Sequence, residues 1–207
     1  MSQWERIARE GSGDDYATAY AERFRRLAAG GADVHGEASF VAGLAAPPAR
    51  VLDAGCGTGR VAVRLAELGY SVVGCDVDSA MVEVARDAAP ALDWRVADLA
   101  TLDLGERFDL VVLAGNVVPL LEPGTLGTTA VRLAAHLGRD GVLVCGFGTD
   151  TAHLPRGCPV TTADAFAAAM ARAGLDERAR FGTWQATPYV GADGYLVSVL
   201  GLRGSAA

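Results

Sequence analysis

The sequence contains no lysine; all 18 of its basic residues are arginine. A phosphate-binding loop of the Gly-x4-Gly-Lys-Ser/Thr type is thereby excluded, because its lysine carries the phosphate contact. Isoleucine and asparagine occur once each, at Ile7 and Asn116, while Ala, Gly, Val and Arg abound. That bias fits a GC-rich bacterial coding sequence. Basic residues are outnumbered by 25 acids, for a net charge of −7. This argues against nucleic acid as the main partner, since such binding rests on Lys and Arg neutralising phosphates. The four cysteines, Cys56, Cys75, Cys145 and Cys158, include no C-x-x-C and no metal-ligand spacing. They read as buried free thiols in a reducing cytoplasm. Long apolar runs are also missing. The longest, 110–121, is interrupted by Asn116 and Pro119 and falls short of the roughly 20 residues that cross a bilayer. The opening MSQWERIARE mixes charged and apolar residues and lacks the apolar core of a secretory leader. A cytoplasmic protein without membrane partners is expected.

What is present is ample apolar material, 51% over 207 residues, enough for one core. Residues 1–12 read as frayed or loosely helical. A helix is predicted from Asp14-Asp15 to Gly30, with Tyr16, Tyr20, Phe24 and Leu27 at helical spacing, and another over 36–45, stopped by Pro47-Pro48. From Arg50 short apolar strands alternate with helices: ARVLDA, SVVGCD, LDWRVAD, FDLVVLA and GVLVCGF. Ser79 and Thr162 are plausible N-caps of intervening helices. A helix carrying Leu126, Ala130, Leu133 and Leu137 on one face precedes the fifth strand, and His136 on it reads as a surface residue. Nearly all-apolar strands alternating with helices predict a parallel sheet covered on both faces. At the end, ERARFGTWQATPY and GYLVSVLGLR read as a hairpin joined by a short Gly-Ala-Asp-Gly link.

The stretch VLDAGCGTGRVAVRLAELGYSVVGCDVD carries the chemistry. Its glycines, Gly55, Gly57 and Gly59, lie between a strand and a helix. A dinucleotide turn wants G-x-G-x-x-G, but the third position holds Arg60, and Asp53 at the strand end would not help a pyrophosphate. The alternation D-x-G-x-G-x-G resembles motif I of the class I S-adenosylmethionine-dependent methyltransferases. Asp76 ends the next strand 19 residues after Gly57, Asp78-Ser79-Ala80-Met81 resembles the family's D-x-S-x-M continuation, and Val96-Ala97-Asp98-Leu99 ends the third strand. FDLVVLAGNVV and LGRDGVLVCGF resemble the family's fourth and fifth strands. The resemblance spans 49–147 and, more loosely, the C-terminal hairpin.

This resemblance implies an α/β, Rossmann-like fold. It would have a seven-stranded mostly parallel sheet with a C-terminal antiparallel hairpin, helices on both faces and an N-terminal helical lid. A single domain over 1–207 is expected: lid 1–46, donor-binding core 47–148, and loop, helix and hairpin 149–207. S-adenosyl-L-methionine is the implied cofactor. Asp53 would meet its ammonium, with small residues Ala54, Gly55, Cys56 and Gly57 letting backbone approach. Asp76 would take both ribose hydroxyls, beside Val77. Met81, Asp98 and Leu99 would meet adenine, and Ala114 and Gly115 the sulfonium. Tyr16 would cover the donor's carboxylate. Tyr20, Asn116, His153 and Trp184 are candidate substrate contacts. Asn116-Val117-Val118-Pro119 departs from the N-P-P-Y of nucleobase and amide methyltransferases, which weighs against such acceptors. The implied activity is methyl transfer to an O, N or C nucleophile of a small molecule, with a general base left unassigned. RNA or protein methylation, and donor binding without turnover, are the alternatives.

Overall fold

The computed structural model describes residues 1–191 and 194–205. Eight helices and seven strands are present among them: α1 (Gln3–Ser12), α2 (Tyr16–Ala29), α3 (Gly36–Ala42), β1 (Arg50–Ala54), α4 (Arg60–Glu67), β2 (Ser71–Asp76), α5 (Ser79–Ala88), β3 (Asp93–Val96), β4 (Phe108–Leu113), α6 (Val117–Leu120), α7 (Leu126–Ala135), β5 (Leu137–Gly148), α8 (Ala163–Arg172), β6 (Leu175–Phe181) and β7 (Tyr195–Leu202). The strands form one sheet in the order β3-β2-β1-β4-β5-β7-β6. β1 to β5 pair in parallel, while β7 runs antiparallel to both β5 and β6. This is the mostly parallel seven-stranded sheet that the family resemblance implied, and the parallel part is what the strand pattern predicted.

Strand alternation sorts the core into two layers. Leu52, Ala54, Val73 and Cys75 face one side, against Ala130 and Leu133 of α7 and Phe166 and Met170 of α8. Val51, Val72, Leu110 and Val112 face the other, against Ala38 and Val41 of α3, Val61, Ala62 and Leu65 of α4, and Val82 and Ala85 of α5. Consequently Asp53, which shares its face with Val51, and Asp76, which shares its face with Val72, emerge on the α4 and α5 side. Strand order reverses direction between β1 and β4, and the crevice at that switch point opens beyond the carboxyl ends of the strands.

Several local expectations are corrected. Residues 3–12 are a helix with a full capping box, Ser2 accepting from the Glu5 amide and Glu5 from the Ser2 amide. α3 is a sheet-covering helix rather than part of the lid, because Ala38 and Val41 pack into the core. Asp78, not Ser79, caps α5: its Oδ1 accepts from the Ala80 amide at 2.9 Å. Thr162 does cap α8. β5 begins at Leu137, so Leu137 belongs to the strand and not to the α7 face. His136 is buried, accepting on Nε2 from the Leu104 amide at 2.9 Å and contacting the Arg132 carbonyl through Nδ1. β6 ends at Phe181 and β7 begins at Tyr195, so more than the four-residue link separates them; Ala192 and Asp193 of that link lie outside the described residues. Among the described residues no helix is long and apolar enough to cross a membrane.

Candidate functional site

The glycine turn closes the end of β1. Gly55, Gly57 and Gly59 all have positive φ, at 81°, 54° and 83°, where side chains are strained. At Gly55 space is lacking too: a Cβ there would lie 2.5 Å from Val117 Cγ2. The β4 exit loop thus folds directly over the turn. Amides of Gly55 and Cys56 both donate to the Cys75 carbonyl, tying the turn to β2.

Two buried carboxylates organise this turn. Asp53 is 1% exposed, and its Oδ2 accepts from the Ala62 amide at 3.0 Å. That amide is in the first turn of α4 and has no intrahelical partner. Burial pushes the Asp53 carboxyl up to about 7, against the opposing pull of the Ala62 amide and the Arg60 charge. Asp76 accepts from the Gly57 amide at 2.8 Å through Oδ2 and from the Asp78 amide at 3.0 Å through Oδ1. Burial raises it to about 6 while these backbone bonds hold it down. Each carboxylate therefore fixes backbone with part of its acceptor capacity and retains lone pairs for a ligand.

Both acids line a cavity of about 330 Å³ at the switch point. It gathers Gly55, Cys56, Gly57, Asp76, Val77, Met81, Asp98, Leu99, Ala114, Gly115, Tyr20 and Asn116 from the sequence-derived set. Met81 is buried with its methyl beside Gly57, Leu99 is buried, and Asp98 is exposed, accepting from the Ala100 amide at 2.8 Å. Burial raises the pKa of the Cys56 thiol and of the Tyr20 hydroxyl.

Four expected contacts lie elsewhere. Tyr16 turns away, its hydroxyl donating to Asp78 Oδ2 at 2.6 Å, and Tyr20 one turn later takes the place in the cavity. Ala54 points to the opposite face of the sheet with Leu52. Trp184 fills the space where Gly146 would carry a Cβ, packs edge-on to Phe40 at 5.6 Å and donates to the Tyr195 hydroxyl. It is a half-buried residue packed against the core, in a slot made possible by that glycine. His153 stands outside the lining, with Nδ1 2.8 Å from Asp150 Oδ1.

Asn116 lines the cavity, yet its side chain is engaged structurally. It sits in the left-handed region (φ 68°, ψ 24°) directly after Gly115, also at positive φ. Its Oδ1 accepts from the Gly148 amide at 2.7 Å, and its Nδ2 donates to the His153 carbonyl at 3.1 Å. The one asparagine of the chain thus joins the exits of β4 and β5.

Sequence reasoning missed other lining residues, including Trp4, Arg23, Phe24, Arg60, Val117, Leu121, Glu122 and Pro155. Trp4 lies in the stretch read as frayed, and 117–122 reads only as an apolar run. Arg60 was visible but without a role. It is held in a bidentate pair with Glu37, at 2.5 and 2.8 Å, and stacks 4.5 Å over Phe24. Among the described residues, no group of three or more His, Cys, Asp or Glu is placed to hold a metal ion.

A doubly covered parallel sheet with an antiparallel seventh strand, and a glycine turn braced by two strand-end acids, defines the class I methyltransferase architecture. Comparison with known proteins agrees. Residues 51–141 match the model of a methyltransferase domain family. A solved TehB-like SAM-dependent methyltransferase from Corynebacterium glutamicum superposes with a TM-score of 0.82 at 34% identity, covering 91% of this chain and 98% of that one. The chain belongs to the S-adenosylmethionine-dependent methyltransferases. A Streptomyces fradiae dTDP-3-amino-3,6-dideoxy-alpha-D-glucopyranose N,N-dimethyltransferase is 32% identical over 136 residues, 63% of this chain and 53% of that protein. Magnesium-protoporphyrin O-methyltransferase of Rhodobacter capsulatus is 38% identical over 74 residues, 33% of each chain. The chain therefore spans about a third to a half of the length of these curated relatives.

The residues present fit the family's donor. The turn is a cradle that a Cβ at Gly55 or Gly57 would crowd, at 2.5 Å from Val117 and 3.2 Å from Met81. The acids around it suit a ligand rich in N–H and O–H donors.

Proposed function

We propose that this protein transfers a methyl group from S-adenosyl-L-methionine to an O, N or C nucleophile of a small molecule. The observation that carries this reading is the meeting of Asp53, Asp76 and the Gly55–Gly57 turn in one cavity. The donor supplies a methyl group already made electrophilic by its sulfonium. The protein's part is to bind, orient and exclude water. In this reading Asp53 takes the ammonium, Asp76 the ribose hydroxyls, and Asp98, Leu99 and Met81 the adenine. Ala114 and Gly115 flank the sulfonium beneath Tyr20. Arg23 lines the cavity and makes no ion pair among the described residues. It is the cation available to the donor's carboxylate.

A small acceptor is supported by the two curated relatives, one named for an amino sugar and the other for a porphyrin. They do not choose between N and O. The charge of −7 weighs against RNA. The arginine-only basic residues and buried free thiols favour a bacterial cytoplasm, and the chain acts as one domain with α1 and α2 as its lid.

Isothermal titration with S-adenosylmethionine and its demethylated product tests the donor; absence of binding by both overturns it. Radiolabelled methyl transfer from the donor into a metabolite extract, against RNA and protein fractions, tests the acceptor class. Label confined to the macromolecular fractions would reject a small-molecule acceptor, and no transfer at all would leave a donor-binding protein.

A further inference from the structure

Helix α1 is tied to the opposite lip of the cavity through its first turn. The Gln3 backbone N–H donates to the Glu122 carboxylate, and the Gln3 side-chain amide donates to the Pro119 carbonyl at 2.9 Å. Arg6 lies 3.8 Å from the same carboxylate. The Gln3 amide is one of the orphan donors of a helix N-terminus, and a negative charge suits it there. Gln3 is 6% exposed, although it opens a peripheral helix. Its buried amide group is satisfied by Pro119, as a buried polar group must be.

These contacts bridge the cavity. Ser2 and Trp4 line it from α1, and Leu120, Leu121 and Glu122 from the segment beyond β4. Trp4 stands edge-on to Tyr16 and Tyr20, at 6.4 and 5.8 Å, and shares a cluster with Met81. The remainder of α1 meets that cluster through the small side chain of Ala8 and through Arg9, whose guanidinium lies 5.2 Å over the Tyr16 ring. Polar contacts to the far lip are made by the first turn of the helix, while the aromatic cluster and Arg9, which also pairs with Asp14, hold its remainder to α2.

We propose that the Gln3–Pro119–Glu122 contact is a latch that holds α1 across the cavity and sets how fast donor and demethylated product exchange. This rests on the donor reading above. The latch joins protein to protein, so weakening it destabilises the shut form equally with and without ligand. Entry and exit rates then rise together and affinity is unchanged.

The test is stopped-flow binding of S-adenosylhomocysteine to the full chain and to Gln3→Ala, Glu122→Gln and the double variant. Each single variant is expected to raise both association and dissociation rates by ~five-fold, the worth of the Gln3–Pro119 bond lost in Gln3→Ala and of the charge assistance lost in Glu122→Gln, whose amide oxygen still accepts, leaving Kd within ~two-fold. Unchanged rates overturn the latch. A faster dissociation alone, with matching loss of affinity, also overturns it and makes the altered residue a ligand contact. Hydrogen exchange without ligand provides the independent arm. Amides of 3–12 should exchange faster in Glu122→Gln, whose side chain is 43% exposed in the parent and whose change spares the core. Wild-type protein that binds no product while Glu122→Gln still loosens α1 would reject the donor reading rather than the contact. Equal exchange in both would reject the latch.

Discussion

Asp76 reaches back 19 residues to accept the Gly57 amide at 2.8 Å. This bond welds the second strand's last residue to the middle of the glycine turn. The acid is therefore part of the turn's frame as well as a ligand-facing group.

Replacing Asp76 with Ala removes the acceptor of both the Gly57 and Asp78 amides. Loss of charge-assisted bonds is worth about 1.5–3 kcal/mol each, while relief of a buried charge works the other way. Stability should change by less than about 2 kcal/mol. Affinity for S-adenosylhomocysteine should fall at least ~ten-fold, because ribose recognition is lost along with the frame. Urea unfolding and calorimetric titration separate the two; an unchanged affinity rejects the ribose role.

Gly55→Ala should be destabilising by about 2 kcal/mol or more. The new Cβ would meet Val117 Cγ2 at 2.5 Å in a backbone with φ 81°. Adding Val117→Ala removes the two closest contacts and leaves its Cβ at 3.2 Å, without relieving the φ strain, so thermal unfolding of the double variant should recover part of the loss. No recovery would mean that Val117 does not set the spacing.

Asp53 and Asp76 give the unliganded protein a definite pH dependence. Unfolded, both carboxyls titrate near 3.8; folded, burial raises them to about 7 and about 6. Between these values the unfolded state holds fewer protons than the folded one. Stability thus falls as pH rises from about 4 to about 7, then levels off. Binding of a ligand that favours the carboxylates should strengthen over the same rise and release protons. Titration in buffers of differing ionisation enthalpy reads that release, which Asp53→Asn should diminish.

Asn116→Ala should cost about 2 kcal/mol, from two lost hydrogen bonds and an alanine forced into the left-handed region. Asn116→Gly keeps the backbone freedom and should recover about 1 kcal/mol of it. Denaturant midpoints for the pair measure the split. Equal loss in both variants would show that backbone conformation contributes nothing.

The order of strands, the glycine turn and the acids at 53, 76 and 98 were legible in the sequence, because each depends on local period and turn chemistry. Strand alternation alone places Asp53 on the α4 face and Ala54 on the other, so the backbone pattern already held the reason why only one of them reaches the cavity. Tyr16 and Tyr20 could not be separated that way. They sit one turn apart, and the choice was made by Asp78, which engages the Tyr16 hydroxyl from 62 residues away. Trp184 read as a binding aromatic until Gly146 gave it a slot against the core. Asn116 read as a substrate group until the Gly148 amide and the His153 carbonyl claimed its amide. Residues 1–12 do carry a local helix signal, Ser2 and Glu5 at capping-box spacing ahead of an amphipathic turn; what only the fold supplies is their docking on Pro119 and Glu122, more than a hundred positions on. Local chemistry in the sequence determined which cofactor turn this is. Which side chains face it was decided by long-range packing, since a polar group's partner is fixed only when the fold brings the two together.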